Sequence, residues 1–198
     1  MKTGFRRIHW IWAAILGIVL ICISVVAART GLLTDVKEKI VMSLIIKSPS
    51  FMQDGVIPAR HTCDGRNVSP PLTWAGIPAG AKSLVLIVDD PDAPDPAAPK
   101  MTWVHWVLYN IPPNANGLTE GVAVKGLSDG TLLGANDWQR ADYGGPCPPV
   151  GRHRYFFKLY ALDSVLPDLK HPAKAALEKA MQGHVLARSE LIGLYQRK

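Results

Sequence analysis

Leu84-Val85-Leu86-Ile87-Val88 is an unbroken apolar run, and Asp89-Asp90-Pro91-Asp92-Ala93-Pro94 follows it directly. Side chains of a β-strand alternate between two faces, so a strand that is apolar at every position is expected to be buried on both. Prolines and carboxylates then end the run. The stretch therefore predicts a central strand of a sheet, with a group of carboxylates at its end.

Short apolar runs separated by turn residues continue from about Ser43, and this pattern predicts a largely β domain. Residues 172–188 have apolar side chains at helical spacing and a proline at the start, so we expect a helix there. The loops are long and rich in glycine and proline, and long ordered loops tend to carry function. The predicted strands are 43–47, 72–74, 83–89, 102–111 and 154–162.

The N-terminal residues differ from the rest of the chain. Lys2, Arg6 and Arg7 precede the uncharged run 8–28, which has about the 20 residues that a helix needs to cross a bilayer. The basic flank predicts that this end stays in the cytoplasm and that the remainder is exported. We expect a transmembrane anchor; a cleaved signal peptide is the alternative, because small residues stand at 26–28.

The predicted organisation is thus a membrane anchor or signal peptide over residues 1–29, a linker or stalk over 30–42 and one folded domain over 43–198. The domain is expected outside the cytoplasm, in the periplasm or the extracellular space, and secreted if the first segment is cleaved. A chain of 198 residues with 48% apolar residues can bury the core of such a domain.

The formal net charge of +6 does not indicate a nucleic-acid partner. Four of the 22 basic residues lie in or beside the apolar N-terminal segment, which leaves 18 basic against 16 acidic residues over 30–198. A domain that is nearly neutral offers no electrostatic surface for nucleic acid.

Two of the three cysteines, Cys63 and Cys147, fall in the predicted exported domain, whereas Cys22 lies in the apolar segment. Cysteines can pair in an oxidising compartment, but only if their Cα atoms come close together. The sequence does not give that distance. Buried unpaired thiols are the simpler expectation, and a disulfide is the alternative.

The loop Tyr143-Gly144-Gly145-Pro146-Cys147-Pro148-Pro149 has the composition of an anion-binding turn. Glycines allow backbone N–H groups to approach a ligand, and prolines fix the loop beforehand. Beyond it, His153 and Tyr155 share strand parity and are expected on one face, whereas Arg152 and Arg154 are expected in solvent on the other.

Several motifs follow one another in the chain: Asn67-Val68-Ser69-Pro70-Pro71, Asp90-Pro91-Asp92-Ala93-Pro94, Trp103-Val104-His105-Trp106, the glycine-proline loop and His153-Arg154-Tyr155. In this order they resemble the phosphatidylethanolamine-binding protein (PEBP) family, and more narrowly its bacterial and archaeal Raf kinase inhibitor-like branch. The resemblance implies a mainly β fold with a few helices, in which a large central antiparallel sheet is flanked by a smaller sheet and a C-terminal helix. It also implies a small anion pocket formed by Asp90, Asp92, His105, Gly145, Pro146, His153 and Tyr155.

The function implied is that of a non-catalytic binding protein with no cofactor and no metal. Its ligand would be a small phosphate-bearing or zwitterionic molecule such as phosphoethanolamine, and its pocket rim could inhibit a partner kinase or protease. Because an ionised carboxylate repels an anion, we expect Asp90 to accept a hydrogen bond from His105 or His153. Anion affinity is then expected to be greater below the histidine pKa, ordinarily ~6.5.

Other interpretations remain open. The aspartates could cap the strand through Asx turns, or Asp90 could bind the amine of a zwitterion. A metal-assisted phosphoesterase could use Asp90, Asp92, His105 and His153, although their spacing matches no standard metal motif. A third possibility is a membrane-tethered interaction domain whose pocket binds nothing.

Overall fold

A computed structural model describes residues 43–198. The predicted anchor or signal segment (1–29) and the linker (30–42) lie outside the described residues. Within 43–198, no helix is both long enough and apolar enough to cross a membrane.

The described part of the chain contains nine strands and one α-helix, in agreement with a mainly β fold. In chain order they are β1 (Ile45–Lys47), β2 (Gly55–Val56), β3 (Leu72–Ala75), β4 (Ser83–Asp90), β5 (Trp103–Ile111), β6 (Gly117–Leu118), β7 (Leu132–Leu133), β8 (His153–Leu162), α1 (Lys174–Met181) and β9 (Val185–Tyr195).

The strands form one large and one small sheet, as the resemblance implies. The large sheet has the order β2-β9-β8-β4-β5-β7 and the small sheet the order β1-β3-β6. Neighbours are antiparallel except for the short edge strand β2, which runs parallel to β9. Apart from that edge strand the large sheet is antiparallel, as the resemblance implies.

Strand β4 is central and buried along its whole length, as its apolar run predicts. Leu84, Leu86 and Val88 pack into the core between the two sheets. Val85 and Ile87 face the other way, into the core covered by α1. Each face of β4 thus has its own hydrophobic layer, which explains why no position of the run is polar.

The C-terminal part of the predicted helix 172–188 is a strand. The helix ends at Met181, and Gly183 turns the chain at a φ of +79°. Strand β9 then pairs with β8 over nearly its whole length. The N-terminal half of β9 is largely exposed on both faces, so the alternation that identifies a strand is weak there.

Candidate functional site

A pocket of about 580 Å³ lies where the ends of β4, β5 and β8 meet the glycine-proline loop. Two predicted site residues, Asp92 and Pro146, do not line it. The other five do: Asp90, His105, Gly145, His153 and Tyr155. Segments about 65 residues apart in the chain therefore meet at one pocket.

The two adjacent carboxylates at the end of β4 face opposite sides of the sheet. Asp89 accepts hydrogen bonds from Lys158 (2.8 Å) and Lys174 (2.6 Å) on the side that α1 covers. Asp90 points to the pocket side. Because successive side chains of a strand point to opposite faces, Asp89 forms ion pairs on the α1 side and Asp90 lines the pocket.

The side chains of Asp90 and His153 form a buried pair, with 2.7 Å between Oδ2 and Nδ1. The other ring nitrogen of His153, Nε2, lies 2.9 Å from the carbonyl oxygen of Val150. Because a carbonyl only accepts, Nε2 carries a hydrogen, and a second hydrogen lies between Nδ1 and the carboxylate. The pair therefore has no net charge, whichever partner holds the shared proton.

This pairing changes the expected roles of both residues. Asp90 accepts from His153, one of the two partners that the sequence interpretation allows, and its charge no longer repels an anion. Its Oδ1 also accepts the backbone N–H of Asp92 at 2.8 Å, so the Asx turn is present as well. His153 has no N–H group left to donate to a ligand.

Asp92 is occupied by Arg154. The carboxylate accepts the backbone N–H of Arg154 (2.9 Å) and two guanidinium hydrogens, from Nε (3.0 Å) and Nη2 (2.7 Å). The guanidinium lowers the pKa of Asp92 below its ordinary value. Arg154 is exposed on the face of β8 opposite to His153 and Tyr155, as expected, and from there its guanidinium binds Asp92.

His105 occupies a β-bulge. The pairing of β4 with β5 passes from Val88 opposite Trp106 to Asp89 opposite Val104, so His105 has no partner residue. Bulges re-aim side chains and are common beside functional sites. The ring is buried, and Nδ1 donates to the carbonyl oxygen of Gly144 at 2.7 Å. Burial is the largest influence on His105 and lowers its pKa.

Aromatic rings hold His105 in place. Trp138 packs edge-on against Trp103 and against His105, with ring centroids 5.3 and 5.2 Å apart. Tyr155 packs against His105 at 5.2 Å. The buried Asn136 side chain fixes the loop that carries Trp138, because its Oδ1 accepts the backbone N–H groups of Trp138 and Arg140.

The glycine-proline loop does not present its glycines to a ligand. The N–H of Gly144 donates to the carbonyl of His105 (3.0 Å), and that of Gly145 to Oδ1 of Asn67 (2.7 Å). Prolines have no N–H group. Among residues 144–149, the N–H of Cys147 is the one without an acceptor in the described chain, and Cys147 lines the pocket.

The two glycines are needed for packing. A Cβ atom at Gly144 would collide with the ring of Trp138, and one at Gly145 would lie 2.5 Å from the carbonyl oxygen of His61 and against the Asn67 side chain. Glycine thus permits the close approach of two protein segments, rather than the approach of a ligand to the backbone.

Replacing Gly145 with alanine should lower the free energy of unfolding by about 1–3 kcal/mol, because backbone atoms must move to admit the methyl group. Urea unfolding measures the change. Gly126→Ala is the matched control, since the nearest atom to its Cβ is Val122 Cγ2 at 3.4 Å. Equal stabilities of the two variants would contradict the packing role.

Cys63 and Cys147 form a disulfide, with a Cα–Cα distance of 5.4 Å. The expectation of unpaired thiols is wrong. The backbone N–H of Cys63 donates to the carbonyl of Pro146 at 3.0 Å, so a hydrogen bond also joins the two loops beside the disulfide. The disulfide connects both loops at the wall of the pocket.

Three buried polar atoms of pocket-lining side chains have no hydrogen-bond partner: Trp103 Nε1, His105 Nε2 and Tyr155 Oη. Burial raises the pKa of Tyr155, so its hydroxyl keeps its hydrogen. With Nδ1 donating to Gly144, Nε2 of a neutral His105 is an acceptor. These three side-chain atoms therefore offer two donors and one acceptor, and the exposed cations Lys100 and Arg140 also line the pocket.

Comparison with known proteins places the whole arrangement in a family. The sequence pattern described as phosphatidylethanolamine-binding protein matches residues 47–196. The chain belongs to the PEBP family. The resemblance of its motifs is thereby confirmed, and the pocket lies entirely within the matched range.

Relatives of this PEBP-family chain include the UPF0098 protein of Methanothermobacter thermautotrophicus, 53% identical over 153 residues, which are 77% of this chain and 98% of the relative. The crystal structure of a PEBP homologue from Chlamydia trachomatis has a TM-score of 0.73 and 39% identity, covering 79% of this chain and 99% of the other. YbcL of E. coli, described as a new member of the mammalian PEBP family, has a TM-score of 0.71 and 30% identity, with the same coverages.

The metal-assisted alternative gains no support from the geometry. In residues 43–198, no three His, Cys, Asp or Glu side chains are grouped so that they could hold a metal ion. Asp92 is bound by Arg154, and His153 has both ring nitrogens engaged by protein oxygens.

Sequence reasoning did not assign several residues of the PEBP pocket. Trp103 stands inside the Trp-Val-His-Trp motif, so its position next to His105 was a usable signal. Cys147 stands between prolines in the loop, where it is the one residue after Gly145 with an N–H group. The motif that begins at Asn67 does not indicate its contact with Gly145, and no local pattern identifies Asn136 or Trp138, because these roles depend on distant loops.

Proposed function

We propose that this PEBP-family protein is a non-catalytic binding protein that holds a small phosphate-type ligand, such as phosphoethanolamine, in the pocket. The observation that carries the proposal is that three side chains lining one cavity, Trp103, His105 and Tyr155, each have a buried polar atom without a well-formed hydrogen bond. A buried polar atom without a partner costs about 1–3 kcal/mol, and a ligand that supplies the partner recovers this cost.

An oxyanion fits the remaining chemistry. Its oxygens can accept from the Trp103 indole, the Tyr155 hydroxyl and the N–H of Cys147. The neutral Asp90–His153 pair does not repel it, and Lys100 and Arg140 attract it. Since Asp90 is compensated, the pocket has no free carboxylate for an amine, and the phosphate is the group that it recognises.

The absence of catalysis is part of the proposal. The cysteine of the loop is in a disulfide and is not a thiol nucleophile. His153, which stands beside Asp90, is held through both ring nitrogens and is not available as a general base. The disulfide and the engaged histidine are both consistent with a protein that binds its ligand without converting it.

We also propose that the domain works outside the cytoplasm, on a membrane anchor or as a secreted protein. The disulfide supports this placement, because disulfides persist in oxidising compartments. Inhibition of a partner kinase or protease through the pocket rim stays a prediction, to be tested by adding the protein to candidate enzymes.

Tyr155→Phe tests the binding function directly. The hydroxyl lies near Asp90 but makes no well-formed hydrogen bond in the protein, so its removal should change the free energy of unfolding little. Loss of a hydrogen bond to an anion, worth about 1.5–3 kcal/mol, should weaken phosphoethanolamine binding by about 10–150-fold. Isothermal titration calorimetry and urea unfolding measure the two effects.

Tyr160→Phe is the matched control, because Tyr160 lies on the opposite face of β8. It should bind like the wild type. Wild-type protein that binds neither phosphoethanolamine nor phosphate at millimolar concentration would refute the proposed function.

A further inference from the structure

One polar atom of this pocket, Nε2 of His105, accepts a hydrogen bond, whereas the others donate one. Trp103 Nε1, Tyr155 Oη and the N–H of Cys147 can all donate to an oxyanion. His105 Nε2 instead presents a lone pair, because the carbonyl of Gly144 fixes the ring hydrogen on Nδ1. A ligand that satisfies every group must both accept hydrogen bonds and donate one.

The surroundings of His105 favour the neutral ring. Burial lowers its pKa and outweighs the carboxylates that act in the opposite direction. Of these, Asp90 is paired with His153. Tyr155 and Trp138 pack on the ring as neutral groups. The other charged groups near His105 are Asp89, which lies on the opposite side of the sheet and is held by Lys158 and Lys174, and Asp137, which accepts the N–H of Val104. Lys100 and Arg140, the latter paired with Asp142, belong to the pocket wall.

We propose that the pocket selects oxyanions that carry a proton, such as the monoanion of phosphate or of a phosphate monoester, over fully deprotonated oxyanions such as sulfate. The O–H of the ligand donates to Nε2 of His105, while its other oxygens accept from Trp103, Tyr155 and Cys147. This inference rests on the proposed function and specifies which ligands the same site takes.

The number of protons in the complex predicts which anion binds more tightly. The complex holds one proton between Nε2 of His105 and a ligand oxygen, whichever of the two it sits on. Phosphate can bring this proton, whereas sulfate has none at neutral pH and must bind to an imidazolium that burial disfavours. Both anions meet the same donors and the same surface cations, so the acceptor Nε2 alone discriminates between them.

The same balance predicts the pH dependence. A phosphate monoester loses its second proton near pH ~6. Below that pH the free ligand already holds the proton, and the affinity should be nearly constant. Above it, the complex binds one proton more than its separate components, so the affinity should fall by up to about tenfold per pH unit.

Isothermal titration calorimetry tests the selection of protonated oxyanions. The full chain is titrated with phosphoethanolamine, inorganic phosphate and sulfate between pH 5.5 and 8.5. At pH 7.5 we expect phosphate to bind at least about tenfold more tightly than sulfate. Titrations in two buffers of different ionisation heat should show uptake of about one proton per bound phosphoethanolamine at pH 8.

Two variants accompany the measurement. His105→Leu removes the acceptor, so phosphate and sulfate should bind it with equal affinity. His184→Gln is the control, because His184 is exposed and pairs with Asp163 away from the pocket. It should keep both the selectivity and the pH dependence. The wild-type titrations decide the question even if His105→Leu does not fold.

Two results overturn the inference and are distinguishable. Equal affinities of the wild type for phosphate and sulfate, without proton uptake, would refute proton selection and leave the proposed function intact. No binding of any of the three probes would refute the proposed function, and the inference with it.

Discussion

Replacing both Cys63 and Cys147 with alanine should lower the free energy of unfolding by about 4.5 kcal/mol, because the bond closes a loop across a sequence separation of 84 residues. A crosslink over so long a loop removes many conformations from the unfolded chain, which stabilises the folded state. For a domain of this size, the midpoint of thermal unfolding should fall by about 10–18 °C. Guanidinium unfolding and calorimetry measure the two quantities.

The variant should still fold at 25 °C. The hydrogen bonds from Cys63 to Pro146 and from Gly145 to Asn67 hold the two loops together without the disulfide. Cys63→Ala and Cys147→Ala alone should each cost about as much as the double replacement, since either one opens the loop. A loss below about 1 kcal/mol in the double variant would contradict the predicted loop-closure contribution.

Replacing His153 with leucine should cost about 3–5 kcal/mol of unfolding free energy, the second large effect that we expect. The change leaves the carboxylate of Asp90 buried without its charged partner, next to the N–H of Asp92 and the Tyr155 hydroxyl. A buried charge that has lost its partner is strongly destabilising, whereas the intact pair is neutral. Urea unfolding at pH 7 measures the loss.

A second replacement separates the destabilisation caused by the unpaired charge from that caused by lost packing. In the double variant Asp90→Asn with His153→Leu, no buried charge remains, and the amide oxygen can still accept from Asp92. We expect the double variant to be at least about 1.5 kcal/mol more stable than His153→Leu alone. If the double variant is no more stable than the single one, the loss comes from packing and not from an orphaned charge.

The main strands could be predicted because their signals are local. The run Leu84–Val88 is apolar at each position, and β4 is buried on both faces as a result. His153 and Tyr155 are two residues apart, so they share the buried face of β8 whatever the rest of the chain does. Strand β9 was missed because its first half is exposed on both sides and lacks a periodic pattern.

The face of β5 on which His105 lies could not be predicted from strand alternation. Strict alternation would put Trp103, His105 and Val107 on one face of β5. In the structure Trp103 and His105 line the pocket, while Val107 packs in the core beneath α1. The bulge at His105 resets the alternation, and it depends on the register with β4, which no pattern within β5 records.

The sequence alone determined the class of fold, the family and five of the residues that line the pocket, because strand parity and ordered motifs are properties of short segments. The tertiary structure alone decided how each polar group is used. It assigned Asp92 to Arg154, Asp90 to His153 and the N–H of Gly145 to Asn67, and it joined Cys63 to Cys147. Each of these partners comes from a distant part of the chain, and a hydrogen that is already donated within the protein is not available to a ligand.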